Sequence, residues 1–221
     1  MRRYGPLLAV ALLFGFGLQA CSSNPPPPPP EPVAAVDSTA IRDSLRADSI
    51  ARHQAAAREL CEEAVVAMAS GNLERARSLF TQAQQEFSDT PCATEAESAL
   101  AVIADMEEVA VRINFDFDKA NIRDRDARIL QAKAEVLKRH PDWTIIIQGN
   151  CDERGSIEYN LALGMRRAES ARRYLVGLGL DPNQFKLVSF GKERPIAMGS
   201  NETAWAQNRN DGFVIEGMSG S

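Results

Sequence analysis

The sequence predicts an α+β protein: a C-terminal sandwich of order βαβαββ behind a small all-α segment. Three observations carry this. From residue 109 onward, short β-rich runs alternate with helical stretches. Residues 59–108 are rich in Ala and Glu and keep a helical period. The first 58 residues follow neither pattern and include a run of six prolines. Length agrees with this division: 221 residues, 44% hydrophobic and 25% charged, allow one or two domains with a real core.

Residues 7–18 form an apolar run behind Arg2 and Arg3, too short to cross a hydrocarbon core of ~30 Å as a helix. With the positive start, they read as a secretory signal over 1–20. Leu18-Gln19-Ala20-Cys21 resembles a bacterial lipobox. That resemblance implies cleavage before Cys21 and lipid on its sulfur and amine, with no other cofactor. Several acyl chains hold a protein stably, each buried CH₂ contributing ~0.8 kcal/mol. Ser22, rather than Asp, implies sorting to the outer membrane, facing the periplasm. Residues 21–58 then read as a disordered, lipidated tether. The prolines at 25–30 favour stiff polyproline II, and Asp-Ser pairs at 37, 43 and 48 mark a polar, partly helical extension. Cleavage removes two arginines and no acid, so the formal charge moves from −5 to −7.

In 59–108, Gly71-Asn72-Leu73 interrupts the helical period. Ala76, Phe80 and Ala83 follow on one face, and Ser88-Asp89-Thr90-Pro91 ends that helix and starts a third at about 92–108. The spacing resembles one tetratricopeptide-type repeat, or a generic helical hairpin. Cys61 and Cys92 flank the hairpin. An oxidising periplasm allows them to pair, but sequence fixes neither distance nor geometry, so a disulfide and two thiols both stand. Cys151 is left as a free thiol.

The C-terminal segment, 109–221, opens with a period-two strand at 111–115. A helix follows at 124–139 with Leu130, Ala134 and Leu137 inward, then a β-rich run at 143–147. A long helix at 157–178 places Leu161, Met165, Ala168, Ala171 and Leu175 inward, closed by Gly177 and Gly179. Strands at 185–190 and 212–216 complete the pattern. Asn160, Gly164 and Arg167 share one face of the long helix, and Asp152 lies in the loop before it. Gly164 is expected to leave a shallow gap between two polar side chains.

Four ordered segments then resemble the OmpA-like peptidoglycan-binding domain family: Ile113-Asn-Phe-Asp-Phe-Asp-Lys119, the stretch 149–168, Gly191-Lys-Glu-Arg-Pro195, and Asn201-Glu-Thr-Ala-Trp-Ala-Gln-Asn-Arg209. The resemblance covers about 109–216. It implies a non-covalent partner, peptidoglycan, bound through the diaminopimelate of uncrosslinked stem peptide. Asp152 would take the ligand amine and Arg167 its carboxylate, a pairing that the planar guanidinium fork suits. Without the family segments, an Asp–Arg salt bridge holding the loop is the plainer reading. Asn160 is expected to fix the loop or touch ligand, and Asp116 with the backbone around Phe115 to line the groove. Arg154 reads as structural or a rim contact, and Trp205 as core. The resemblance further implies a Tol-system β-propeller partner and a role in envelope integrity and cell division.

Two departures stand out: Asn150-Cys151 replaces the family's usual His-Thr, and Asn210-Asp211-Gly212 reads as turn-like after Asn208-Arg209. Other functions fit poorly. The chain is acidic without a basic patch, against a nucleic-acid partner. His53 and His140 lie too far apart in sequence for a multi-His metal site. Cys151 has no neighbouring His to activate it, so an enzyme is not expected. The alternative is an envelope scaffold or adaptor built on the helical segment, with wall binding secondary.

Overall fold

The computed structural model describes residues 37–217. The signal peptide, Cys21 and the proline run lie outside these residues. The chain divides into two units, Met1–Arg42 and Asp43–Ser221. In the first, the Asp37 carboxylate accepts from Thr39 N at 2.9 Å and opens helix α1 (Ser38–Ala69). The stretch read as tether is therefore helical from Ser38. The reason is composition: Ala and Arg, both strong helix formers, dominate it, and neither Gly nor Pro interrupts.

In the second unit, α1 packs with α2 (Leu73–Glu86) and α3 (Pro91–Ala110). Gly71 takes φ +78° at the turn, and Asn72 caps α2 by accepting from Arg75 N at 3.1 Å. Pro91 opens α3, where its missing N–H costs nothing. Small residues let the helices close: Ala57, Ala64, Ala76, Ala83 and Ala96 are buried around Phe80. Cys61 and Cys92 are joined, with Cα atoms 6.1 Å apart.

Four strands form one sheet: β1 (Ile113–Asn114), β2 (Ile145–Asn150), β3 (Phe185–Gly191) and β4 (Asn210–Ile215), in the order β1-β4-β2-β3. β4 is antiparallel to β1 and β2, while β2 and β3 run parallel. Helices α4 (Asp124–Arg139) and α5 (Ile157–Gly177) contribute Leu130, Ala134, Leu137, Ala168, Ala171 and Leu175 to a core with Ile145, Ile147 and Phe213. A short α6 (Glu202–Asn208) lies between β3 and β4.

The inward face of α5 differs from the expected one. Leu161 and Met165 are exposed, while Asn160, Leu163, Gly164 and Arg167 are buried. A glycine pair rotates the helix. A Cβ on Gly149 would sit 2.0 Å from Gly164 O, and one on Gly164 would sit 2.8 Å from Gly149 O. Gly164 thus allows α5 to touch β2, where a gap was expected. Asn210-Asp211-Gly212 is likewise not a turn but the start of β4, with Asn210 and Asp211 paired to β1 and Gly212 and Asp211 to β2. Pairing on both sides overrides the turn preference of these residues.

Candidate functional site

At the carboxyl end of β2 the register with β3 shifts between Gly149 and Asn150, and Cys151 N donates to Gly191 O at 2.7 Å. This irregularity throws the following loop outward over the start of α5. Ser156 caps α5 by accepting from Tyr159 N. Between this loop, the chain after β1 and the first turns of α5 lies a cavity of about 160 Å³. Its lining includes Phe117, Asp118, Asp152, Arg154, Asn160 and Arg167.

Arg167 is completely buried. Its Nε donates to Lys119 O at 2.8 Å, Nη1 to Asn150 O at 2.8 Å and Nη2 to Asp116 O at 3.2 Å. Two segments distant in sequence, 116–119 and the end of β2, are thereby tied to α5. Burial lowers its pKa from the ordinary arginine value, yet a guanidinium remains protonated. Three of its five N–H groups are used on these carbonyls, and a fourth points at the Cys151 sulfur, 3.4 Å from Nη1.

Asp152 is held from another side. Arg154 donates to it through its backbone N (3.2 Å), Nε (3.1 Å) and Nη2 (2.6 Å), and Arg209 Nη1 adds a bond of 3.2 Å. Burial pushes the Asp152 carboxyl up, but the Arg154 and Arg209 bonds outweigh it and hold the pKa below the ordinary value. No Asp152–Arg167 bond forms, so neither end of the expected pair is neutralised by the other. Arg154 itself lies between two aromatic faces, 3.9 Å from the Phe117 ring centre and 4.1 Å from that of Trp205. Trp205 is thus a rim residue and not core, its indole N–H bonded to Glu153.

Of the other expected residues, Asn160 is buried and its amide donates to Arg154 O at 2.8 Å and Ser156 O at 3.0 Å, fixing the loop. Phe115 is wholly buried beneath Arg167, its ring centre 5.0 Å from the guanidinium carbon. The Asp116 carboxylate points to Lys119 and Arg123. Neither side chain lines the cavity; Phe117 and Asp118 do. Asp118 adopts φ +56°, strained for a non-glycine residue, and accepts from the Tyr159 hydroxyl.

Two buried residues escaped the sequence reading. Arg209 joins Phe115 O, Asp152 and Glu202. Asp211 is completely buried with neither oxygen bonded. Asn150 and Asn210, one from each unusual segment, meet. Asn150 Nδ2 donates to Asn210 Oδ1 at 3.2 Å, and Arg112 Nη1 donates to the same oxygen at 2.8 Å. Cys151 is buried, and burial pushes its thiol up to about 11, far from a reactive thiolate.

A larger groove of about 540 Å³ runs between α1 and α3, lined mostly by apolar groups including Ala57, Val65, Val66 and Pro91. The smaller cavity is the candidate site because charged and polar groups converge there. Among the described residues no cluster of three or more His, Cys, Asp or Glu could hold a metal, and no helix is long and apolar enough to cross a membrane.

Residues 114–209 match the OmpA family. The peptidoglycan-associated lipoprotein of Brucella melitensis is 43% identical over 109 residues, covering 49% of this chain and 65% of the relative. That of Haemophilus influenzae is 40% identical over 107 residues, covering 48% of this chain and 70% of the relative. The chain therefore spans just under two thirds of the Brucella protein's length. A crystal structure of the peptidoglycan-associated lipoprotein from Burkholderia pseudomallei shares 50% identity, covers 48% of this chain and 89% of that one, and superposes with a TM-score of 0.47.

Proposed function

The chain belongs to the OmpA family, and we propose on that premise that it binds peptidoglycan without turnover and tethers the outer membrane to the wall. The observation that carries this reading is the cavity in which Asp152 and Arg167 face the same small volume unpaired to each other. A carboxylate and a guanidinium so placed suit a zwitterion, such as the amino-acid end of diaminopimelate in an uncrosslinked stem peptide. The ligand ammonium reaches Asp152 by taking the place of Arg154, whose side chain is 31% exposed at the rim of the cavity. The ligand carboxylate meets the remaining N–H of Arg167. Lipid on Cys21 anchors the other end in the outer membrane. A Tol-system β-propeller partner and a part in cell division accompany this reading.

Retention on purified peptidoglycan tests it. Asp152→Ala should lower retention at least tenfold with circular dichroism unchanged. Wild-type retention by the Asp152→Ala/Arg167→Ala double variant overturns the site.

A second reading, an envelope scaffold with wall binding secondary, is favoured by the apolar groove between α1 and α3. In that case Val66→Glu, and not Asp152→Ala, should reproduce the detergent sensitivity of a deletion strain.

A further inference from the structure

Arg167 is a full positive charge in the core, and every bond it makes runs to a carbonyl oxygen or to the Cys151 thiol. Asp211 is an acid with 0% exposure and no bond to either oxygen. The two are neighbours. Asp211 alternates along β4 with Phe213 and Ile215, both in the core, so it points to the helix side of the sheet. Its cross-strand partners are Ile113 on β1 and Gly149 on β2. Gly149 is where α5 touches the sheet, through Gly164. Arg167 follows Gly164 by three residues, on the same buried face.

A buried ion without a partner costs several kcal/mol, whereas the neutral acid costs far less. Burial therefore pushes Asp211 well above the ordinary carboxyl range, and Arg167 opposes that rise without cancelling it. Other titratable groups nearby are engaged elsewhere. Asp152 is bonded to Arg154 and Arg209. On α4, Asp126 is bonded to Arg123 and Asn114 N, and Lys133 lies over Phe213 with bonds to α3 carbonyls. On α3, Asp105 is bonded to Arg139 and His140, Glu107 to Arg77, and Glu108 lies near Lys133. The Cys151 thiol, beside Arg167, stays protonated at neutral pH.

We propose that Asp211 is a proton-linked counter-charge to Arg167, competing from inside the core with the ligand carboxylate that arrives from the cavity. With the cavity empty, Arg167 favours ionised Asp211. When a ligand carboxylate neutralises Arg167, Asp211 loses that support and takes a proton from solvent. Binding and proton uptake are thus linked, and by reciprocity a rise in pH weakens binding. This rests on Arg167 as the anion-binding group.

The test is calorimetric titration of the full chain in detergent with a soluble stem tripeptide ending in diaminopimelate. It is run from pH 5.5 to 8.5 in buffers of different ionisation enthalpy. The tripeptide is acetylated at its amino terminus, because a free peptide α-amino group titrates at about pH 8, within this range, whereas its carboxyl groups stay ionised throughout. The wild type should take up as much as one proton per ligand, and affinity should fall with rising pH by up to tenfold per unit. Cys151→Ser should keep the uptake, and Asp211→Asn should abolish it and flatten the pH profile. Absence of uptake throughout the range in the wild type overturns the proposal, without need of any variant. So does uptake that persists in Asp211→Asn. Failure of the clamp itself shows separately, as unaltered affinity in Asp152→Ala.

Discussion

Arg167 joins two roles that the sequence alone presents as alternatives. It is a structural tie, through Lys119, Asn150 and Asp116, and it also faces the cavity. A lysine cannot reproduce a three-way fork. Arg167→Lys is therefore expected to lower unfolding stability by about 3 kcal/mol, the scale for breaking a buried charged network, measured by urea denaturation. Asp211 acts in the opposite sense. Its folded pKa lies above the unfolded value, so between the two the native state binds more protons and stability falls as pH rises. Asp211→Asn removes this slope, and Asp211→Val, which also removes the unbonded polar atoms, should add about 1–3 kcal/mol at pH 7. A destabilised Val variant at that pH would count against the buried-acid account. Asp152, Asn160 and Arg167 were legible because their spacing and the family segments mark them. Asp211 was not, because Asn-Asp-Gly is a turn signature locally, and only pairing on both edges of β4 makes it strand. Its alternation with Phe213 and Ile215 was the available signal.

Among the elements, α5 shows how one contact decides a face. Hydrophobic periodicity placed Leu161 and Met165 inward, yet the Gly149–Gly164 approach turns Asn160 and Arg167 in instead. Periodicity failed because this face is polar and yet buried, the Asn160 amide and most Arg167 donors being bonded to backbone carbonyls. Gly149→Ala puts a methyl against backbone, which cannot yield as a side chain can. It should destabilise by about 1–3 kcal/mol and weaken wall binding as Arg167 shifts. Gly164→Ala meets the Ser189 hydroxyl as well as Gly149 backbone. If Gly149→Ala melts and binds as the wild type does, the contact is not what sets the α5 position. In the helical segment, the Cys61–Cys92 bond closes a separation of 31 residues. On the chain-entropy estimate it contributes about 3–4 kcal/mol. Dithiothreitol should therefore lower the thermal midpoint, and a Cys61→Ser/Cys92→Ser variant should be insensitive to it.

The whole molecule joins its helical segment and its sheet through a shared core, not a linker. The sequence division at 108/109 falls inside α3, which runs to Ala110, and Met106 and Val109 pack with Trp143, Ile145 and Phe213. Composition changes at that point, but burial does not, and only tertiary contact reveals it. Around this joint, Arg77 pairs with Glu107, while Asp105 binds Arg139 and His140. His140 also stacks on Trp143, with ring centres 3.8 Å apart. At its centre Lys133, wholly buried, donates to Glu108 O at 2.9 Å and Val109 O at 2.7 Å, capping the last turn of α3 from the neighbouring helix. Burial lowers the Lys133 pKa to about 7, with Glu108 opposing the shift. The unfolded chain holds this proton up to about pH 10.5. Between those values the unfolded state binds more protons, so the Lys133 contribution makes stability rise with pH. Below pH 7 the buried charge is present in full and its penalty is constant. The chain should accordingly gain stability from pH 7 toward pH 9.5 in urea melts, and Lys133→Met should lose that gain. Because the core is shared, helical and near-ultraviolet signals should move together in both. Separate transitions would mean that the joint does not couple the two parts.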